Sequence, residues 1–297
     1  MALRYEVRFL DVTVQGQRLR LAYRDVSPAA RAVAGAVLLL HGKNFSGAYW
    51  EETIEALAAA GYRVVAPDQI GFGRSSHPDL HYSFHLLALL TAQLLDAIGL
   101  QRVAVVGHSM GGMLAARFAL LFPDRVTKLV LEDPIGLEDY RQLVPYLPLE
   151  KQYEMELGQT GQKMLDFQKA YYVQWRPEFE AWVREQAEPI ASGEWPRFAL
   201  ASSLTYEMIY QQPILYELPA LRVPTLLVIG DKDRTVVGKA RLPPELRSVA
   251  GNYPELGRKA NRAIPGSRLV EVPDVGHIPH LEAPKEFRRI LLGYLAE

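Results

Sequence analysis

The stretch that decides the fold is Val103-Ala-Val-Val-Gly107-His108-Ser109-Met110-Gly111-Gly112, in which a short apolar run leads into a Gly-x-Ser-x-Gly motif. Residues 102–106 have the composition of a buried β-strand, and residues 110–122 predict a helix that ends at Pro123. A serine between such a strand and helix lies in a sharp, strained turn, and its glycine neighbours let the two elements approach closely. The pattern therefore predicts that the Ser109 hydroxyl projects from the carboxyl end of a β-sheet.

Strand-like and helix-like segments alternate on both sides of this motif. Residues 5–14 and 19–26 alternate polar and apolar side chains, which predicts two antiparallel strands joined at Gly16. Further predicted strands are residues 36–40, 62–67, 126–131, 225–229 and 268–272, and further predicted helices are residues 49–60, 82–98 and 284–295. This alternation predicts an α/β fold with a mostly parallel, doubly wound sheet that has helices on both faces.

One long stretch interrupts the alternation. Residues 134–219 are rich in Tyr, Trp, Pro and charged side chains, and they contain several helix-like segments without a buried-strand pattern. We interpret them as a helical cap or lid, inserted into a core domain made of residues 1–133 and 220–297. A second polar insertion is predicted at about residues 236–262.

Composition excludes several classes of function. The 297 residues carry 33 Lys and Arg against 34 Asp and Glu, a net charge of −1, so the basic excess typical of a nucleic-acid-binding protein is missing. The chain has no cysteine, which excludes disulfides, thiolate catalysis and cysteine-based metal sites.

No apolar run reaches the ~18–20 residues of a transmembrane helix. The amino terminus lacks the apolar block of a signal peptide, so a cytoplasmic location is the default expectation. Secretion or a periplasmic location stays open if a signal segment has been removed.

A serine hydroxyl needs a neighbouring base to act as a nucleophile. Among the seven histidines, His277 follows the last predicted strand and therefore lies at the same end of the sheet as Ser109. His280 is the alternative base, although capping or solvent contact is the simpler expectation for it. His41 and His108 are expected to be structural groups near the site.

The base in turn needs a carboxylate to orient it. Asp233 follows the strand at residues 225–229 and is the preferred candidate, with Asp231 and the Glu132-Asp133 pair as alternatives. The predicted catalytic residues are then Ser109, Asp233 and His277, in that chain order.

Acyl transfer also requires N–H donors for a developing oxyanion. The Met110 backbone N–H is one candidate, and the Lys43 N–H is the second, with Asn44 as its alternative. The Lys43 side chain is expected either to be solvated or to bind an anionic group of the substrate. The remaining residues with a predicted substrate contact are Asn44, Phe45, His108, Tyr172 and Trp175.

No metal site is predicted, because His277 and His280 lack an obvious third ligand, and no cofactor is predicted either.

Several short motifs together resemble one family over nearly the whole chain. They are His41-Gly42, Asp68-Gln-Ile-Gly71-Phe-Gly73-Arg-Ser75, Gly107-His-Ser109-Met-Gly111-Gly112, Gly230-Asp-Lys-Asp233 and Gly276-His277. The chain is similar to α/β-hydrolase-fold serine hydrolases, in particular to the single-domain esterase and cofactor-free haloperoxidase-like branch. The resemblance implies Ser109, Asp233 and His277 as the triad, and Lys43 and Met110 as the oxyanion donors. Lys43-Asn44 departs from the more usual aromatic–Pro pair. Because the nucleophile position holds a serine, the carboxylate chemistry of haloalkane dehalogenases and epoxide hydrolases is disfavoured.

The sequence thus predicts a serine hydrolase that cleaves a small-molecule ester or related acyl substrate, with an apolar acyl or aromatic ester expected. Carbon–carbon bond hydrolysis of a diketone and perhydrolase or haloperoxidase-type activity are alternatives within the enzymes. A small-molecule receptor is the alternative outside them. Nucleic acid is not an expected partner, and a monomer or a homodimer is expected.

Overall fold

A single eight-stranded sheet forms the centre of the protein. The computed structural model describes residues 4–28 and 34–297. The strands are β1 (Arg8–Val14), β2 (Gln17–Val26), β3 (Gly35–Leu40), β4 (Tyr62–Pro67), β5 (Val103–His108), β6 (Val126–Glu132), β7 (Thr225–Gly230) and β8 (Arg268–Val272). Their order is β1-β2-β4-β3-β5-β6-β7-β8. β2 pairs antiparallel with both β1 and β4, and every other pairing is parallel.

Helices connect the parallel strands and cover the sheet. In the described residues they are α1 (Glu51–Ala59), α2 (Phe84–Ala97), α3 (Met110–Leu121), α4 (Tyr140–Leu143), α5 (Leu149–Leu157), α6 (Gly161–Lys169), α7 (Glu180–Ala191), α8 (Trp195–Gln211), α9 (Tyr253–Ala263), α10 (Pro279–Glu282) and α11 (Pro284–Ala296).

The central strands are apolar on both faces because each face packs against its own layer of helices. Side chains alternate along a strand, so Leu38 and Leu40 join one core cluster while Val37 and Leu39 join the other. The cluster that contains Leu38 and Leu40 also includes residues of α2, α3 and α9. The cluster that contains Val37 and Leu39 also includes residues of α1 and α11. The predicted doubly wound α/β architecture is confirmed.

Two sequence predictions differ from the structure. β5 continues through His108, two residues beyond the predicted strand end. The sequence predicts a polar insertion at residues 236–262, but these residues contain most of α9, which packs against β7 and β8. The pattern does not reveal this helix because it buries only a narrow stripe of its surface, and the rest of its side chains are polar or charged. That stripe consists of Tyr253, Leu256, Gly257 and Ala260.

Residues 134–219 lie between β6 and β7 and hold α4 to α8, with no strand in this part of the described chain. The second half of α8 packs into the main core, where Met208 and Ile209 are buried. The division of the chain into a core domain and a cap therefore stays a prediction. No helix among the described residues combines the length and the apolar character needed to cross a bilayer.

Candidate active site

Ser109 lies at the turn between β5 and α3 in a strained backbone conformation. Its φ of 55° and ψ of −118° lie outside the regions that L-residues favour. The turn is possible only because its neighbours lack side chains. A Cβ on Gly107 would lie 2.1 Å from the Gly111 oxygen, and one on Gly111 would lie 2.1 Å from the Leu40 oxygen. Ser109 therefore occupies a sharp strand–turn–helix junction at the carboxyl end of β5, and its role as a nucleophile stays a prediction.

Three side chains that are far apart in the sequence form a continuous hydrogen-bonded chain. The Ser109 Oγ lies 3.0 Å from the His277 Nε2, and the His277 Nδ1 lies 2.7 Å from the Asp233 Oδ2. The Thr235 N–H donates to the other Asp233 oxygen at 2.8 Å. All three side chains are buried. The order of contacts lets a protonated Nδ1 donate to Asp233 while Nε2 accepts the serine proton.

A second carboxyl group, that of Asp133, lies beside Asp233. Burial and the neighbouring Asp233 and Glu132 charges raise the pKa of Asp133 well above its ordinary value. Burial alone would raise the pKa of Asp233 as well, but the adjacent His277 and the Thr235 N–H hold it below its ordinary value. The two carboxyl groups therefore have oppositely shifted pKa values, which favour the neutral form of Asp133 and the ionised form of Asp233.

The same groups are spaced closely enough to hold a metal ion. One ligand-type atom from each of Asp133, Asp233 and His277 lies within 4.8 Å of the others. The short contact between His277 Nδ1 and Asp233 already uses the nitrogen that would face the carboxylates. The Gly230 N–H donates to both Asp133 oxygens at 3.1 Å. These hydrogen bonds therefore account for the close spacing of Asp133, Asp233 and His277.

Asp231 and Glu132, which the sequence also offers as candidates for the acid, contact groups other than His277. Asp231 pairs with Lys232 at 2.7 Å. Glu132 accepts from the His280 backbone N–H at 2.7 Å and lies 3.0 Å from its Nδ1. The expectation of solvent contact for His280 is wrong, because its side chain is buried and stacks on Trp50 with ring centroids 4.0 Å apart. The sequence gives no sign of this role because the partner carboxylate is 148 residues away.

Burial has opposite effects on the two members of the Glu132–His280 pair. It raises the pKa of Glu132 to about 7, and it lowers the pKa of His280 well below its ordinary value. The lowered pKa favours a neutral His280 ring, whose Nδ1 lies 3.0 Å from Glu132, and Ser109 contacts His277 instead.

His108 and His41 occupy buried structural positions close to Ser109. The Tyr49 hydroxyl accepts from the Gly42 N–H at 2.8 Å and lies 3.0 Å from the His108 Nδ1. The other nitrogen of His108 donates to the His277 carbonyl at 2.8 Å. His41 Nε2 accepts from the Gln69 N–H at 2.9 Å. Because both ring nitrogens of His108 are used inside the protein, the geometry gives this residue a role in holding the His277 backbone.

The two loops that flank Ser109 supply the candidate oxyanion donors. Met110 is the first residue of α3, so its N–H has no partner within the helix. A Cβ on Gly42 would lie 3.1 Å from the Ser109 Cβ, which shows how closely this loop approaches the serine. Lys43 and Asn44 follow directly, and Asn44 has a left-handed φ of 73°. Their roles as donors stay predictions.

A cavity of about 780 Å³ opens between helices α7 and α8 and the loops that follow β3 and β4. Asn44 and Phe45, two of the predicted substrate contacts, line it. Tyr172 and Trp175 pack elsewhere, with Tyr172 stacked on Phe179 at 4.1 Å and Trp175 edge-on to Tyr172 at 5.4 Å. Substrate contact by any of these residues stays a prediction.

Sequence reasoning does not identify a segment, Tyr171 to Gln174, that packs on the His277 loop. The Tyr171 carbonyl accepts from the His277 N–H at 2.7 Å, and the two rings have centroids 5.0 Å apart. Glu282 accepts from the Gly276 N–H at 2.7 Å and from the Val173 N–H at 2.7 Å. No local pattern signals these contacts, because most of them use backbone atoms.

A family model described as alpha/beta hydrolase fold matches residues 35–284. The chain belongs to this family. The chain of this alpha/beta hydrolase is similar to a probable hydrolytic enzyme from Pseudomonas aeruginosa PAO1, with a TM-score of 0.95 and 49% identity over 98% of this chain and 94% of that one.

Two further similarities cover nearly the full length. A putative 2-succinyl-6-hydroxy-2,4-cyclohexadiene-1-carboxylate synthase from Bacillus subtilis is 28% identical over 302 residues, which is 96% of this chain and 98% of that protein. A thermophilic esterase from Thermogutta terrifontis is similar with a TM-score of 0.73 and 25% identity, covering 98% of both chains. The family and these relatives support assignment of this alpha/beta hydrolase to the hydrolytic enzymes.

Proposed function

We propose that the protein is a serine hydrolase that cleaves a carboxylic ester or a related acyl substrate through Ser109, His277 and Asp233. The observation that carries the proposal is the hydrogen-bonded chain from the Ser109 Oγ through both nitrogens of His277 to Asp233, with contacts of 3.0 and 2.7 Å. This is the arrangement in which a base can remove the proton of a serine as its oxygen attacks a carbonyl carbon.

In the first half-reaction, His277 Nε2 accepts the Ser109 proton while Oγ forms a bond to the carbonyl carbon. The carbonyl oxygen becomes an oxyanion, which the Met110 and Lys43 N–H groups would stabilise. His277 then returns the proton to the leaving alcohol oxygen as the ester C–O bond breaks. In the second half-reaction, a water gives its proton to His277 and attacks the acyl carbon. That proton returns to Ser109 when the acid is released.

Asp233 has the role of stabilising the charged imidazole that forms in both steps. The raised pKa of the neighbouring Asp133 favours its neutral form, in which it adds no second negative charge beside Asp233. The His277 backbone is held by the His108 ring at its carbonyl and by the Tyr171 carbonyl at its N–H. These contacts fix the base in the position that proton transfer requires.

Residues 134–219 act in this proposal as a cap that covers the serine and forms one wall of the substrate cavity. The cavity is lined by α7 and α8 from this region and by Asn44 and Phe45 from the core. Its volume of about 780 Å³ suits a small-molecule substrate.

The test is hydrolysis of p-nitrophenyl esters of increasing acyl length by the wild type and by Ser109→Ala. We expect kcat/KM of the variant to fall by roughly 10³-fold or more, because the nucleophile is removed while the fold is kept. Ser248→Ala, at an exposed serine outside the cavity, is the matched control and should retain activity.

Retained ester hydrolysis in Ser109→Ala would refute the proposal. The same set of measurements, extended to further substrates, separates the competing activities. A diketone cleaved faster than any ester would indicate carbon–carbon bond hydrolysis, and peracid formation from peroxide would indicate perhydrolase activity. Labelling of Ser109 by a fluorophosphonate without turnover of any substrate would indicate a receptor.

A further inference from the structure

Two polar side chains of the core meet consecutive turns of α8 at the wall of the cavity. The Lys43 ammonium donates to the Ser202 carbonyl at 2.9 Å and to the Ser202 hydroxyl at 2.7 Å. The His77 ring stacks on Phe198 with centroids 3.6 Å apart. Phe198 and Ser202 are four residues apart, so they lie on the same face of the helix, and both line the cavity. The backbones of Phe198 and Ser202 are ~6 Å apart along the helix axis, so Lys43 and His77 contact neighbouring turns of α8.

Lys43 is a half-buried cation that donates to two neutral oxygens of Ser202. Among the residues that the structure describes, its ammonium forms no ion pair, and Glu156 is the acidic group with the largest effect on it. Burial lowers the pKa of Lys43, because the charged form is less stable when it is partly removed from water. An ammonium has three N–H donors and Ser202 uses two of them, so one donor is left for an anion.

His77 adds a second polar group that has no partner. The side chain is only 4% exposed, and its Nε2 makes no hydrogen bond to any described residue. Burial and the nearby Arg197 lower the pKa of His77 to about 4, so the ring is neutral near pH 7. A neutral ring with the proton on Nε2 is a hydrogen-bond donor. A buried donor of this kind is costly unless a ligand satisfies it.

One short loop runs from beside Ser109 to Lys43 and on to the cavity. Gly42 packs against Ser109, Lys43 is the next residue, and Asn44 and Phe45 then line the cavity. The carboxylates that line the cavity come from α1, from α7 and from the turn before α8, and none of them pairs with Lys43.

We propose that Lys43 and His77 form a subsite for a carboxylate group of the substrate. The subsite rests on the proposed function: it implies an acyl substrate with a free carboxylate a few carbons from the bond that Ser109 attacks. Ser202 holds the ammonium in place, and Phe72, whose ring lies 6.0 Å from the Lys43 nitrogen and which lines the cavity, forms an apolar wall beside it. The anion supplies the counter-charge that the free protein lacks.

The test compares two esters that differ only in charge: mono-p-nitrophenyl glutarate, with a free carboxylate, and its neutral methyl ester at that carboxylate. We expect the wild type to prefer the charged ester. Lys43→Met keeps the backbone N–H but removes the charge, so the ratio of kcat/KM for the charged over the neutral ester should fall by about 10- to 100-fold. Ser202→Ala should lower the ratio by less, because the ammonium stays but loses one partner. Lys259→Met, at an exposed lysine on α9, is the control and should keep the ratio.

A second measurement does not depend on turnover. In the Ser109→Ala background, glutarate monoamide should raise Tm, and the added Lys43→Met should abolish most of that shift, whereas uncharged valeramide should give the same shift with and without Lys43. If neither ester is hydrolysed by the wild type, the proposed function fails, and the Tm shifts alone decide the subsite. If the esters are hydrolysed but Lys43→Met leaves both the kcat/KM ratio and the Tm shift unchanged, the subsite is wrong and the proposed function stands.

Discussion

Asp133 and Asp233 show how two identical side chains acquire different properties from their neighbours. Asp233 faces His277 and receives the Thr235 N–H, while Asp133 faces the Gly230 N–H and two other carboxyl groups. The first environment favours the ionised form and the second favours the neutral form. A neutral carboxyl group can be replaced by an amide of the same shape, whereas an ionised one cannot.

This contrast yields a prediction with a matched pair of variants. Asp233→Asn should lower kcat by roughly 10³- to 10⁴-fold, because an amide does not stabilise the charged imidazole. Asp133→Asn should cost no more than about 10-fold, because an amide oxygen still accepts from Gly230 and its N–H donors still face Asp233. Ester hydrolysis by both proteins, with Tm as a check on folding, measures the difference. A loss in Asp133→Asn as large as in Asp233→Asn would contradict the prediction and show that both carboxyl groups are required.

For individual residues, the sequence predicts the roles of those that lie in local motifs. It does not predict contacts between residues that are distant in the sequence. Ser109 and His277 lie in segments that follow parallel strands, so their convergence could be predicted from the parallel order of the sheet. The sequence favours Asp233 as the acid but leaves Asp133 open, because the two residues follow adjacent strands. The Glu132 partner of His280 and the Tyr171 contact to His277 had no local signal.

At the scale of elements, one buried ion pair joins β2 to the loops beside the site. The Arg24 Nη1 donates to the Asp68 Oδ1 at 2.8 Å, and both side chains are almost fully buried. Asp68 also accepts from the Gly47 N–H at 2.8 Å and from the Arg74 N–H at 2.9 Å. A single carboxylate thus ties the loop after β3 and the loop after β4 to the antiparallel edge of the sheet.

We predict that Asp68→Asn destabilises the protein by about 3–5 kcal/mol, because it leaves the Arg24 charge buried without a counter-charge. Adding Arg24→Met should recover part of that loss, since the double variant has no unpaired charge. Urea unfolding of the two single variants and the double variant measures the coupling. Equal and additive losses would show that the pair is not coupled.

The elements themselves were largely predictable. The buried strands are short apolar runs, and α2 ends two residues before Gly99, whose φ of 73° suits glycine. α9 could not be predicted because its charged face dominates the composition of residues 236–262. A Cβ on Gly257 would lie 2.8 Å from Ile229, so close packing of that helix on β7 depends on a residue whose apolar role is not visible in a hydrophobic pattern.

For the whole molecule, the buried Glu132 makes stability depend on pH. Its pKa is raised by burial from an ordinary 4.5 to about 7, so the folded state holds the proton more tightly than the unfolded state. This contribution to stability is fully present below about pH 4.5 and is lost as pH rises through about 7.

Glu132→Gln keeps the neutral state at every pH, so its stability relative to the wild type should rise by ~3 kcal/mol between pH 4.5 and pH 7 and then level off. The free energy of unfolding in urea at several pH values measures this. Glu6→Gln, at an exposed side chain, is the control. A difference between Glu132→Gln and the wild type that does not change with pH would show that Glu132 does not titrate in this range.

The hydrogen bond between the Tyr171 carbonyl and the His277 N–H limits the routes by which a small molecule can reach Ser109 and His277. Both atoms are main chain, so no side-chain replacement removes the bond. A Cβ at Gly276 would lie 2.3 Å from that same oxygen, which excludes any bulkier residue there. Lifting the segment at residues 171–174 would also disturb the histidine. We therefore expect small molecules to enter through the cavity lined by α7 and α8, without displacement of residues 171–174.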